Sequence, residues 1–157
     1  SPVYTTVNAN EAYIYGGNIT LNSQVSDHFS LQSSVVYTYG RIKTEISDTP
    51  LDHIPPVYGR TAITVQQQKF RGEFSVLYNG WKRIEDYRLN AEDNEAYATP
   101  DGMPAWYTLN AKGSYQLNEQ FQLMIGLENI LDVNYRVFAS NISGAGRNVT
   151  FTLRGRF

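Results

Sequence analysis

Seven stretches of this chain alternate apolar and polar residues with a period of two, and the connections between them alternate just as regularly between short and long. That double rhythm constrains the fold more than any single motif. A period of two puts successive side chains on opposite faces of a strand, so each stretch reads as a β-strand with one apolar and one polar face. Tyr13, Tyr15, Ile19 and Leu21 oppose Asn18, Thr20, Asn22 and Gln24, and the polar turn Ser26-Asp27-His28 follows. Phe29, Leu31, Val35, Tyr37 and Tyr39 then oppose Ser30, Gln32, Ser34 and Thr38. The run 41–56 dissolves into loop chemistry with Ile54-Pro-Pro56. The third and weakest strand spans 57–68, a tight turn is read at Lys69-Phe70-Arg71, and Phe74, Val76 and Tyr78 carry the fourth strand up to Trp81. Residues 82–104 form a long polar, acidic loop. Tyr107 to Leu117, the turn Asn118-Glu119-Gln120 and Phe121 to Leu127 make a hairpin, 132–146 a third long loop, and Arg147 to Phe157 the seventh strand.

The terminal strand places Val149, Phe151, Leu153 and Phe157 on one face against Thr150, Thr152, Arg154 and Arg156 on the other. Two architectures satisfy such a pattern: a soluble sandwich, whose apolar faces meet in a core, and a membrane barrel, whose apolar face meets lipid. The connections separate them. Sandwiches mix hairpins with crossovers, whereas bacterial outer-membrane barrels put tight turns at one end and long loops at the other throughout. The expected fold is therefore an all-β, antiparallel up-and-down meander of about seven amphipathic strands, part of a transmembrane β-barrel. The turns are expected on the periplasmic side, the long loops outside, and Phe29, Leu31, Val35, Tyr37, Leu109, Phe121, Leu123, Ile125, Phe151 and Leu153 on one outward face.

Composition agrees. In 157 residues, 41% apolar content and a mean hydropathy of -0.40 are what barrel strands diluted by a polar lumen face and loops give. The aromatic share of 13% suits strands and interfacial girdles. A net charge of -2 provides no basic footprint for nucleic acid, and no cysteine is present for disulfide or thiolate metal chemistry. Catalytic chemistry finds no motif: there is no Gly-x-Ser-x-Gly and no phosphate-cradling loop. Glu92, Asp93 and Glu95 lack the spacing of a calcium loop, and His28 and His53 fall at opposite ends of the expected strands. The expectation is a protein that is not an enzyme, with no cofactor and no metal held by these residues.

Several elements, in order and spacing, resemble a known family. Gly126-Leu-Glu-Asn-Ile-Leu-Asp132, Asn134-Tyr135, Gly146-Arg147 and the final amphipathic strand are similar to the C-terminal end of TonB-dependent outer-membrane receptors. Ala12-Tyr-Ile-Tyr-Gly16, Ile54-Pro-Pro56 before Gly59-Arg60, and Pro104-Ala-Trp-Tyr-Thr-Leu-Asn110 resemble strand openings of the same family. Ile130 departs from the aromatic residue usual at its position, but is still apolar. The resemblance implies a 22-stranded barrel plugged by an N-terminal domain bearing a TonB box. Residues 1–157 would then be the C-terminal portion of the barrel, without plug and earlier strands.

Further implications follow from that family. The parent would sit in the outer membrane of a Gram-negative bacterium and take up a scarce ligand, such as a ferric siderophore, haem or cobalamin, by TonB-energised transport. Implied partners are outer-membrane lipid, the barrel-assembly machinery through Val149, Phe151, Leu153 and Phe157, TonB through the plug, and the ligand. Candidate ligand contacts in the long loops are Tyr58, Trp81, Tyr87, Arg88, Tyr97, Arg136, Phe138 and Asn141. The polar-face residues Glu73, Lys112, Glu128, Arg154 and Arg156 are candidates for charge pairs across the wall or for contacts to the plug. The alternative is a self-contained small outer-membrane barrel, or a surface β-sandwich, with a binding or scaffold role. An isolated chain with two bare sheet edges is expected to curl into a smaller closed or sandwich-like arrangement, or to self-associate.

Overall fold

The computed structural model describes residues 11–44, 47–88 and 95–156; Phe157, Glu92, Asp93 and the stretch 1–10 lie outside the described residues. Seven long antiparallel strands form one sheet in chain order: β1 (Glu11–Gln24), β2 (Phe29–Lys43), β4 (Tyr58–Gln67), β5 (Phe70–Asn79), β8 (Trp106–Gln116), β9 (Phe121–Glu128) and β10 (Asn148–Gly155). Each pairs with its neighbour in sequence, so the sheet is a plain meander. Three short strands lie within the long connections. β3 (Asp48–Pro50) pairs with the end of β2, and β6 (Lys82–Arg83) pairs with β7 (Gly102–Met103) as a separate two-stranded ribbon.

Turns of a few residues join β1 to β2, β4 to β5 and β8 to β9 at one end, hereafter the turn end. At the other, the loop end, sit loop 1 (residues 44–57), loop 2 (80–105) and loop 3 (129–147). The expected alternation of connections is present throughout. Two local details differ. Phe70 and Arg71 open β5 instead of making the turn, because a two-residue connection at Gln68 and Lys69 suffices and lets Phe70 pair with both Gln67 and Tyr115. β2 also runs on to Lys43 inside the expected loop, where β3 supplies its second partner.

Directly paired residues on antiparallel strands project to the same side, so the register fixes both faces. Ile19 lies opposite Val35, Leu31 opposite Ile63, Ile63 opposite Phe74, Val76 opposite Leu109, Ile125 opposite Phe151 and Leu123 opposite Leu153. All ten residues expected to share an outward face do so. The opposite face carries Gln32, Ser34, Asn110, Gln122, Thr150 and Arg154.

Burial is inverted relative to a soluble domain. Phe151 is 73% exposed, and Ile19, Leu153, Ile63 and Phe74 are exposed with it, whereas the buried strand residues Ala62, Ser75, Asn79, Thr108 and Asn110 all belong to the polar face. Loop 3 returns over that face. Tyr135, Ala145 and Gly146 border a cavity of about 320 Å³ against Arg60, Ser75 and Asn110. Buried polar groups must be hydrogen-bonded or paired. An ion-pair row of partly exposed side chains also crosses the polar face: Arg60 meets Glu73 at 2.6 Å, Glu73 lies opposite Lys112, and Lys112 meets Glu128 at 3.3 Å. The wall-pairing expected of Glu73, Lys112 and Glu128 is thus present.

The closed or sandwich-like arrangement expected of an isolated chain is not found. Among the described residues the main sheet is open, with β1 and β10 at its edges, so it forms neither a closed small barrel nor a sandwich. The reason is steric. A barrel of about eight strands has an interior just filled by its own side chains, whereas here the polar face also carries loop 3 and the side chains of Tyr58 and Trp106.

The register is testable because the chain is free of cysteine. Ser33 Oγ and Thr61 Oγ1 are 2.8 Å apart on the same face. The pair S33C/T61C is expected to form a disulfide under mild oxidation, while S33C/A62C, which a one-residue slip would bring together, stays reduced; mobility on non-reducing gels distinguishes them.

Candidate functional site

The loop end gathers most of the charged and aromatic side chains that are not part of the ladder. Loop 2 begins after Asn79 with the backbone N–H of Gly80 bonded to the Val57 carbonyl at 2.6 Å, which joins it to the foot of loop 1. The ribbon β6/β7 follows, and Gly102 has a φ of 105° there, with no room for a Cβ against the Lys82 carbonyl. Trp81 Nε1 donates to the Asp101 carbonyl at 3.2 Å and Arg83 stacks on the Trp81 ring at 4.3 Å. A one-turn 3-10 helix at Ile84–Asp86 then delivers Tyr87 beneath the loops, where it is 4% exposed.

Lys82 sits at the centre of this arrangement and is 4% exposed. Its ammonium donates to the Ile54 carbonyl of loop 1 at 2.6 Å and lies over the rings of Tyr87 and Phe138, 5.5 and 5.1 Å from their centroids. Tyr87 and Phe138 also face each other at 6.4 Å. At the periphery Arg88 reaches Asp52 at 3.4 Å, Asp86 reaches Arg41 at 3.6 Å, and Arg136 stacks on Tyr97 at 4.9 Å. The three loops therefore meet as one body.

Of the candidate residues, six are brought into this body: Trp81, Tyr87, Arg88, Tyr97, Arg136 and Phe138. Tyr87 is committed to packing, whereas Trp81, Arg88 and Tyr97 are exposed at its surface. Tyr58 is exposed at the loop end of β4 and Asn141 at the tip of loop 3. Lys82, Arg41, Asp52, Asp86 and Arg83 were missed by reading the chain. Lys82 meets Ile54, Asp52 meets Arg88 and Asp86 meets Arg41 across 28 or more residues, where nothing local marks the pairing, whereas Arg83 and Arg41 also have ring partners two positions away, Trp81 and Tyr39. A cleft of about 560 Å³ opens beside them, between the end of β2, the Pro50 to Val57 segment of loop 1, Trp81 and Lys82. Among the described residues no group of three or more His, Asp or Glu is placed to hold a metal ion.

Loop 3 is organised around a second node. Asn129, 3% exposed with a φ of 48°, accepts from the Val133 N–H at 2.9 Å through its side-chain oxygen. Its amide donates to the Val133 and Ala145 carbonyls, and its backbone N–H donates to the side chain of Asn110 at 2.9 Å. Asp132 accepts from the Arg147 N–H at 2.8 Å, closing the loop's two ends. Tyr135 stacks on Trp106 at 4.4 Å and lies flat against Gly144, while Trp106 Nε1 donates to the Arg136 carbonyl at 2.9 Å. Asn129, Asp132, Tyr135 and Gly146 are residues of the terminal elements quoted above, and in the fold they form a clasp holding loop 3 to the polar face.

On the apolar face, aromatic rings collect at two levels. Tyr13, Tyr15, Tyr37, Tyr39, Tyr78 and Tyr107 mark the loop end, with Tyr15 and Tyr39 rings 5.0 Å apart. Phe29, Phe70, Tyr115 and Phe121 mark the turn end. Between them the face is mainly aliphatic.

An open antiparallel meander with an apolar exterior, aromatic belts and a buried polar interior defines a segment of a membrane β-barrel wall. Residues 1–130 match the family model for TonB dependent receptor-like β-barrels, and the chain belongs to that family. Members of the family are outer-membrane proteins of Gram-negative bacteria. Among solved structures, the copper transporter OprC superposes with a TM-score of 0.73 at 16% identity, over 92% of this chain and 23% of that one. The siderophore receptor PiuA from Acinetobacter baumannii gives a TM-score of 0.63 at 12% identity, over 92% of this chain and 22% of that one. The chain thus spans under a quarter of the length of these structures, and the likeness is one of fold. No curated protein sequence matches it.

The clasp makes a prediction. N129A removes the side-chain hydrogen bonds, each costing about 1–3 kcal/mol when a buried partner is left unsatisfied, and leaves at positive φ a residue that tolerates it less well than asparagine does. N129G removes the same bonds without that strain. Hydrogen exchange across residues 133–146 should rise in both, more in N129A than in N129G; equal rates would remove the backbone contribution, and unchanged rates the node itself.

Proposed function

We propose that this chain is the C-terminal portion of the barrel wall of a TonB-dependent outer-membrane receptor whose parent imports a scarce ligand, a metal chelate such as a ferric siderophore, or haem or cobalamin. The observation that carries this reading is the pair of aromatic belts on one sheet face. From Phe29 to Tyr39 is ten residues, which at about 3.3 Å per residue is about 33 Å of strand. Tilted by about 45°, that strand rises about 23 Å, the height of the apolar band of outer-membrane barrels, about 25 Å. The aliphatic zone between the belts then contacts outer-membrane lipid, the three loops lie outside the cell, and the tight turns lie in the periplasm. The polar face lines the lumen.

On this reading the plug and earlier strands belong to the rest of the parent, TonB acts through the plug, and the apolar face of β10 with Phe157 is the feature read by the barrel-assembly machinery. Self-association is what the bare edges and apolar face would drive if the chain were produced alone. Trp81, Arg88, Tyr97, Arg136, Tyr58 and Asn141 are the ligand-facing candidates, beside the cleft between loops 1 and 2. The names of the two structural neighbours, a copper transporter and a siderophore receptor, support a metal-bearing cargo as the class to test first.

Cells producing the full-length protein are expected to accumulate one of a panel of labelled cargoes (ferric siderophores, copper chelates, haem, cobalamin), with uptake abolished by deletion of the protein or by collapse of the proton-motive force. No accumulation above the deletion strain for any of them would overturn the assignment of cargo class. The membrane placement has its own test. I125R puts a cation on the lipid-facing band, costing about 2–4 kcal/mol near the bilayer midplane, and should sharply lower the folded, heat-modifiable protein in the outer-membrane fraction. T152R, on the opposite face of the adjoining strand, should leave it near the wild-type level.

A further inference from the structure

We infer that Lys82 is a positioning residue that pins the three long loops into one body, so that displacement of any one of them is transmitted to the other two. The ammonium is a single group that touches all three. It donates to a carbonyl of loop 1, at Ile54, and it belongs to loop 2, whose Tyr87 ring lies on one side of it. It also faces the Phe138 ring of loop 3.

Burial makes the arrangement specific. An ammonium withdrawn from water needs compensation, and one carbonyl and two aromatic faces contribute to it here. If loop 1 or loop 3 moved away alone, the cation would lose part of that compensation without regaining full hydration, because Tyr87 and the β6/β7 ribbon still enclose it. The favourable outcomes are therefore all loops docked or all loops released. Arg88 with Asp52 and Arg136 with Tyr97 reinforce the same two junctions from the exposed rim, where charge pairs contribute less. Lys82 itself cannot drift. β-Pairing to Met103, with Gly102 fitted beneath its carbonyl, fixes its backbone.

The test is hydrogen exchange on the full-length protein in detergent, following peptides from loop 1 (residues 51–56), loop 2 (84–88) and loop 3 (136–142), with β5 and β8 as internal reference. K82M keeps the length of the side chain and removes the charge; F138L keeps the fold of loop 3 and removes only the third-loop ring. K82M is expected to raise exchange at least tenfold in all three loops together, with the reference strands unchanged. F138L is expected to raise exchange in loop 1 as well as loop 3, and to add little when combined with K82M. K82R should restore most of the protection, since it keeps a cation within reach of both rings. An increase confined to loop 2 in K82M, a response to F138L confined to loop 3, or additive effects in the double variant would each overturn the inference. Should K82M fail to fold, the loop 1 response to F138L decides alone. None of these readouts depends on the identity of the cargo, so they stand or fall separately from the transport assignment.

Discussion

The register between neighbouring strands is the constraint on which everything else in this fold rests. Because the side-chain period along a strand is two, a slip of one residue in any ladder would carry its whole apolar set to the other face. Five consecutive ladders agree: Leu31, Ile63, Phe74, Ala111, Leu127 and Val149 form one continuous row across β2, β4, β5, β8, β9 and β10. Cross-strand pairing in that row is only moderately specific, since one aliphatic residue replaces another at little cost. Specificity comes from the other face. The Arg60, Glu73, Lys112 and Glu128 row has alternating signs, and a shift of register would separate opposite charges that now meet.

The same inversion explains how long polar loops acquire fixed positions. A soluble loop is usually anchored by an apolar side chain dropped into a core, but here the surface beneath the loops is polar. Anchoring must therefore be done by hydrogen bonds and cation–aromatic contacts. Asn129 does it for loop 3 by satisfying backbone groups at both ends of the loop, a role that suits a residue tolerating positive φ. Lys82 does it between loops. Both are polar groups over 95% buried, and both would be poor choices in an apolar core.

How much of this was legible in the sequence follows from the range of each interaction. The seven strands, their faces and the rhythm of their connections come from periodicity that spans only a few residues, and they were read correctly even in the weak stretch around Ile63. Phe70 was misread as turn because Lys69-Phe70-Arg71 looks polar at both ends, and only pairing with Tyr115, 45 positions on, shows it to be strand. The terminal elements were recognised by resemblance, but their work as a clasp was not, since Asn129 meets Ala145 and Asp132 meets the Arg147 N–H through a loop with no period of its own. The pairing of Lys82 with Phe138 was illegible: nothing about a lysine at a strand end announces an aromatic partner 56 residues away.

The two edges of the sheet carry the last step. Strands β1 and β10 each expose a row of backbone donors and acceptors, and among the described residues no other strand covers either row. In water such rows are partly hydrated, so an open edge is a liability but not a prohibition. Between aromatic belts that bracket an apolar band the case changes, because hydrocarbon offers those groups nothing and each unsatisfied one costs several kcal/mol, on the order of the stabilisation from many methylene contacts. On the proposed membrane reading, such a sheet is physically complete only when both edges meet further strands. The features that would make this chain a poor soluble domain are, on the same proposed reading, the ones that suit an arc of a wider wall.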